Sequence, residues 1–274
     1  MSNHPTAPKM NGKDRELLDI VVTAKWITHS QLSEMASISR IEDNRKVFEW
    51  RVRRLSQCGL LKKQRPAFLD RKILYSITRE GIYALEVLGV HPVAFIYDRG
   101  DEDIKHQIPH SLELNRVRIA LMRSGTLIRW MPESALRVLH RAGQRNYAKI
   151  YDAIATIILD GEIYEIGIEY ERWLKTVERY QDAASKIEEE RRADAVVYLC
   201  SCNNTFTTIC DAFFRSQKPV LVAMIDEFVA QPLDGHAELR MLTTSLRQEL
   251  QKTRKQVSRG RFERTVHSAE FRAR

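Results

Sequence analysis

The chain has 274 residues, with 44 Lys or Arg against 36 Asp or Glu and a formal net charge of +8, a length that allows two domains with real cores and a balance that favours a polyanionic partner. No apolar run approaches the roughly 20 residues that span a bilayer, and Met1 to Lys13 is polar and proline-containing, unlike a secretory signal. The sequence lacks a Gly-rich phosphate loop, a G-x-S-x-G elbow and internal repeats, which speaks against ATPase and serine-hydrolase chemistry and leaves a cytoplasmic protein without membrane contact as the expectation.

Residues 1–12 read as a loose tail and residues 13–92 as a first domain. Asp14 to Ala24 has amphipathic spacing, and Thr28 or Ser30 offers an N-cap for a helix over Gln31 to Ala36. Asn44 to Cys58 turns Val47, Trp50, Val52 and Leu55 toward a small core, leaving Arg45, Lys46, Arg51, Arg53 and Arg54 for other faces. GLLKKQRPAFLDRKILYSITREGIYALEVLG then reads as strand, basic loop, strand and a helix after Gly81. Helix, helix, basic helix and two-stranded hairpin resemble a winged helix-turn-helix. That resemblance implies double-stranded DNA as partner, with a helix in the major groove and a wing on the phosphates. Arg45, Lys46, Arg51 and Arg54 would serve on the helix, and Lys62, Lys63, Arg65, Arg71 and Lys72 on the wing. A winged domain that binds protein is the alternative.

Residues 93–109, bracketed by prolines and carrying a short acidic run, read as a linker. A second domain follows over 110–233, opening with a helix from Pro109 and His110 to Arg123. Pro109 argues against a continuous helix joining His106 to His110, so a two-histidine metal site is not expected. Glu113 on that helix is a candidate acid. The informative stretch is Ile150 to Lys175. Asp160-Gly161 favours a hairpin turn between two apolar strands. Asp152 starts the first strand, while Glu169 and Glu171 share a face near the end of the second, along with Ile163, Glu165 and Gly167. Acids clustered beside a strand end can bind a hard divalent cation such as Mg²⁺, and Lys175, on a helix-like run that follows, supplies a cation. A solvated hairpin face is the plain alternative. Tyr147, Tyr164, Tyr170 and Tyr180 read as core packing.

An Asp on one strand, the Glu169-Tyr170-Glu171 element on the next, Lys175 and then the apolar strand AVVYLCSC resemble the PD-(D/E)XK nuclease core. Tyr151 stands where the proline usually is and Glu171 where the lysine is expected, so Lys175 would be a displaced lysine. The resemblance implies a mixed sheet flanked by helices, with Asp152, Glu169 and Glu171 as metal ligands and all three with Lys175 as catalytic residues. It leaves open a degenerate domain that does not cut. With His110, Trp130 and Glu133, the whole layout is similar to the replication-relaxation proteins and MobC-type relaxases of mobilisable plasmids, which implies an origin-binding protein that nicks its site with Mg²⁺ or Mn²⁺. A non-catalytic DNA-binding regulator and a protein-interaction scaffold stay open as alternatives, as does a homodimer.

Asn203 to Gln217 reads as a helix and PVLVAMIDEFVA as a buried strand. Residues 234–274 read as a basic helical, fraying tail, begun by Leu242, Leu246 and Leu250. From Arg240 to Arg274 ten Lys or Arg face three Glu, so the tail could grip phosphates or dock a partner protein. Cys58, Cys200, Cys202 and Cys210 lack zinc-ligand spacing and read as reduced thiols.

Overall fold

The computed structural model describes residues 10–89, 101–144, 147–239 and 242–252. It divides into two compact units, Met1–Gln144 and Arg145–Arg274.

In the first unit, α1 (Gly12–Ala24) starts at a capping box in which the Asn11 side chain accepts from the Asp14 N–H and Asp14 accepts from the Asn11 N–H. Strand β1 (Ile27–Thr28) leads into α2 (His29–Ile38), capped by Thr28, one of the two expected residues. Helix α3 (Arg45–Gln57) is capped by Asn44, and β2 (Leu61–Gln64) and β3 (Leu74–Ile77) pair antiparallel in a small sheet of order β1-β3-β2. Helix α4 (Arg79–Val87) begins two residues before Gly81. A Cβ on Gly81 would lie 2.3 Å from the Leu60 carbonyl oxygen, so this close approach admits no side chain. Leu17, Leu18, Val21, Leu32, Met35, Phe48, Val52 and Leu55 form one core.

The face of α3 differs from its sequence reading. Phe48, Arg51, Val52 and Leu55 are buried, whereas Val47 is exposed and Trp50 is 55% exposed. Asp14 turns the helix inward at Arg51 by offering it a buried carboxylate.

Helix α5 runs Asp101–Arg123 with Pro109 inside it, so the expected helix start at Pro109 is corrected; 90–100 lie outside the described residues. Packing outweighs the missing Pro109 N–H. Ile108 is buried with Trp26 and Leu74, Ile119 joins the main core, and the Asn115 side chain donates to the Trp26 carbonyl at 2.8 Å. His106 and His110 are therefore one turn apart on a single helix, yet among the described residues no group of three or more His, Cys, Asp or Glu side chains is placed to hold a metal. Strand β4 (Leu127–Pro132) and α6 (Glu133–Arg141) complete the unit.

The second unit holds β5 (Ala153–Leu159), β6 (Glu162–Glu171), α7 (Val177–Glu188), β7 (Ala195–Cys200), α8 (Asn203–Phe213), β8 (Val220–Met224), α9 (Ile225–Ala230), β9 (Ala237–Leu239) and β10 (Leu242–Thr244). Its strands lie in the order β10-β9-β8-β7-β6-β5. The β6-β7 and β7-β8 pairs are parallel; the others are antiparallel. Helices flank this mixed α/β sheet, α8 and α9 both packing on β7 and β8. Leu159 pairs with Glu162 across Asp160 and Gly161, whose φ values of 52° and 81° fit the two-residue turn that the Asp-Gly dipeptide predicts.

Leu242 lies in a strand rather than at the start of a helical tail, because it pairs with Leu239. Residues 246–252 are helical, with Leu246 and Leu250 buried, and Gln251 donates to Asp160 at 2.8 Å. The basic remainder from 253 lies outside the described residues. The strand expected over residues 219–230 ends at Met224, after which α9 begins. No described helix is long and apolar enough to cross a membrane.

Candidate carboxylate–lysine site

Strand β6 sits between β5 and β7, so its C-terminal half is covered on both faces: Tyr164, Ile166, Ile168 and Tyr170 are buried on one, Glu169 (6% exposed) and Glu171 (3%) on the other. This excludes a solvated hairpin face. Gly167, two residues before Glu169, has the Tyr151 ring over it, where a Cβ would come within 2.9 Å of the ring. A tyrosine thus fills the space that this glycine leaves, and its hydroxyl donates to Glu190 at 2.9 Å.

Asp152 precedes β5 and accepts from the Tyr170 N–H at 2.8 Å, which fixes it beside the end of β6. Lys149 Nζ lies 2.9 Å from Glu169 Oε1 and 3.4 Å from the Tyr198 hydroxyl, with its charge 5.5 Å from the Tyr151 ring centre and 5.6 Å from that of Tyr198. That ion pair is the contact through which Lys149 opposes the burial of the Glu169 carboxylate. Lys175 Nζ donates to Glu171 at 2.5 Å, from the loop after β6 rather than from the expected helix, since α7 begins at Val177. The Lys175 N–H donates to the Tyr180 hydroxyl at 3.2 Å.

Electrostatics follow from this packing. Burial pushes the Glu169 carboxyl up to about 7; Lys149 opposes the shift, and Asp152 and Glu171 add to it. Burial also raises Glu171 against the pull of Lys175. For Lys175, burial lowers the pKa, but Glu171 together with Glu169 and Asp152 outweighs it and the amine ends above its usual value. Asp152, Glu169, Glu171, Lys149 and Lys175 thus form one electrostatic group. As to a metal, among the described residues no group of three or more His, Cys, Asp or Glu side chains is placed to hold one, and Lys149 and Lys175 pair with Glu169 and Glu171. Mg²⁺ needs only one or two protein carboxylates, with water in the other positions.

The remaining candidates are placed as follows. Glu113 pairs with Arg116 at 2.6 Å, and Glu133 pairs with Arg137 on its own helix. Tyr147, Tyr164, Tyr170 and Tyr180 are buried, as core packing requires. All four cysteines are free, Cys200 and Cys210 buried. On the first unit, Arg45, Lys46, Lys62, Lys63, Arg65, Arg71 and Lys72 are exposed. Arg51 is not: its guanidinium donates to Asp14 at 2.7 Å in the interior, and Arg54 ion-pairs with the same carboxylate. Sequence reasoning missed Lys149. Its one available signal was position, three residues before Asp152, and a lone lysine ahead of a strand carries little information.

No protein-family model and no curated protein matches the chain. Among solved structures, the chain is similar to the restriction endonuclease FokI bound to DNA, at 10% sequence identity and a TM-score of 0.25, over 80% of this chain and 43% of that one. The chain thus spans less than half of that endonuclease, and the site is read from its own geometry.

Proposed function

We propose that this chain is a DNA-binding protein whose second unit cuts one DNA strand with a divalent metal, Mg²⁺ or Mn²⁺. The observation that carries the reading is the burial of Glu169 and Glu171 beside Asp152, with Lys149 and Lys175 as the local cations. Two buried acids held above their ordinary pKa are costly for a fold and useful for chemistry. Asp152 and Glu169 would hold the ion. A bound divalent metal supplies Lewis-acid charge at a phosphate and lowers the pKa of an attacking water. Lys175, partly exposed, offsets charge on a phosphoryl oxygen.

The order α1-β1-α2-α3-β2-β3, with α3 as the third helix and an antiparallel β1-β3-β2 sheet, supports a winged-helix reading of the first unit. There Arg45 and Lys46 on α3, and Lys62, Lys63, Arg65, Arg71 and Lys72 on the wing, meet phosphates. Arg51 serves the core instead, and Arg54 is largely committed to Asp14. The sequence resemblance to replication-relaxation and MobC-type proteins makes an origin-like site the first DNA to try. A cytoplasmic location and a homodimer on a palindromic site belong to the same proposal.

A second reading, a non-cutting DNA-binding regulator, is favoured by one feature: Lys149 already pairs with Glu169, one of the two acids that would bind metal. Supercoiled plasmid carrying the neighbouring DNA, incubated with Mg²⁺, Mn²⁺ or EDTA, separates the two. Metal-dependent conversion to open circles, lost in Asp152→Ala, is the expected result. Tight binding with no conversion under any metal establishes the second reading.

A further inference from the structure

The loop that carries Lys175 also presents a tryptophan to solvent. Trp173 is 65% exposed, and Leu174 and Val177 beside it are 47% and 52% exposed. Leaving an indole in water forgoes the burial that normally places aromatic rings inside. Nor is the exposure a consequence of a loose loop. The Ser201 hydroxyl donates to the Arg172 carbonyl at 2.9 Å, the Ser201 N–H donates to the Glu171 carbonyl at 3.3 Å, and the Lys175 backbone and side chain are both engaged. These ties hold the segment on either side of Trp173.

Charge identifies the occupant. The Arg172 guanidinium lies 5.3 Å from the Trp173 ring centre, and the run Arg172 to Arg179 contains Arg172, Lys175 and Arg179 against Glu178 alone. An aromatic platform in a basic segment fits a nucleobase with its phosphate, since bases stack on indole while cations meet the backbone. Trp173 lies two residues from Glu171 and two from Lys175, so a base held there would place its own phosphate near the carboxylate–lysine site. A base inside a duplex has no free face to offer. We propose that Trp173, backed by Arg172, stacks an unpaired nucleobase, so that the second unit takes single-stranded or locally melted DNA. The inference rests on the proposed function and specifies its substrate class.

The test is binding of the full chain, in EDTA, to a labelled thymidine oligonucleotide, to an abasic oligonucleotide of equal length and to a duplex. The metal-free condition removes cleavage from the readout, so a failed nicking assay and a failed stacking assay are distinct results. Wild type is expected to favour the thymidine strand over the abasic one. Trp173→Ala is expected to lose roughly tenfold in affinity for the thymidine strand, the scale of one stacked base, with abasic and duplex affinities unchanged, and Trp173→Phe to retain most of the binding. Because Trp173 is a surface residue, an unchanged thermal midpoint is expected to confirm that the variants fold. Equal binding of thymidine and abasic strands by wild type overturns the proposal. So does an equal loss for strand and duplex in Trp173→Ala, or a change in sedimentation showing that the tryptophan covers a second copy.

Discussion

Asp14 in the first unit and Glu169 in the second are both carboxylates withdrawn from water beside cations, yet they titrate in opposite directions. At Asp14, burial is the largest single influence and raises the pKa, but hydrogen bonds from Arg54, the Asn11 N–H and Arg51 together exceed it, and the carboxyl ends below its ordinary value. Two guanidiniums and a backbone amide occupy its oxygens. At Glu169, burial also leads, and Lys149 opposes it, while Asp152 and Glu171 add repulsion, so the carboxyl ends raised. The same chemical group is thus held ionised by two guanidiniums in one place and raised by burial and neighbouring carboxylates in the other. Glu190 provides a control within the second unit. It is as buried as Glu171, but the Arg192, Ala148 and Ala193 amides offset its burial and leave its pKa lowered. Burial alone does not decide the direction of a carboxylate's pKa; the donors and charges around it do.

The largest effect expected from breaking this comparison lies at Asp14. Asp14→Ala strands two guanidiniums and removes the α1 capping box, and should cost about 3–5 kcal/mol, the scale of a broken buried pair, read from urea denaturation. A loss within about 0.5 kcal/mol, typical of surface changes, would mean that the tie does not hold α1 to α3. Next comes pH. Because the Glu169 pKa is raised in the folded state, the native protein binds more protons than the unfolded chain between the ordinary glutamate value and about 7, and this group's contribution to stability falls as pH rises through that window. Asp14 has the opposite sign: its contribution is present above the unfolded value and is lost as pH falls through the lowered one. Glu169→Gln should therefore gain stability relative to wild type as pH rises from about 5 to about 8. A difference independent of pH would show that Glu169 is an ordinary carboxylate.

The legible and illegible parts of the chain divide along similar lines. Local chemistry was readable: the Asp160-Gly161 turn, the Thr28 and Asn44 helix starts, and the shared parity of Glu169 and Glu171. Partner-dependent features were not. Arg51 looks like a surface residue in α3 because its burial depends on Asp14, 37 residues earlier. Pro109 looks like a helix start because the packing of Ile108 against Trp26 and Leu74 is invisible locally. Lys149 joins the site only because Asp152 and Glu169 lie on neighbouring parts of the sheet. Leu242 shows helical spacing with Leu246, and its pairing with Leu239 overrides that spacing.

Lys149 gives a sharper test of the site than of the fold. Lys149→Met keeps an apolar stem against Tyr151 and Tyr198 while removing the charge that opposes Glu169 protonation. The Glu169 carboxyl should titrate higher, as expected on losing an adjacent opposite charge, followed by NMR of the side-chain carboxyl carbon. Asp152→Asn should move it down, since it removes a repelling neighbour. Shifts of the same sign in both variants would show that the response comes from altered packing rather than from charge.

The smallest effects on stability are expected at the first unit's surface cations, where the contrast with Arg51 becomes a test of function. Arg45 pairs with Glu49 one turn along α3 while remaining well exposed, and such a solvent-screened pair adds little to stability. Replacing Arg45, Lys62 and Lys63 by Ala should therefore leave the denaturation midpoint almost unchanged. If the winged-helix reading holds, the same change weakens duplex binding and lowers the slope of log affinity against log salt by about 0.9 for each phosphate no longer neutralised. Arg51→Ala should do the reverse, destabilising the fold while leaving that slope intact in whatever fraction remains folded. Duplex affinity and salt slope that do not respond to the triple surface change would take DNA away from this unit and favour protein docking instead, whereas a reduced slope with full stability would separate the cations that hold the fold from those that meet the partner.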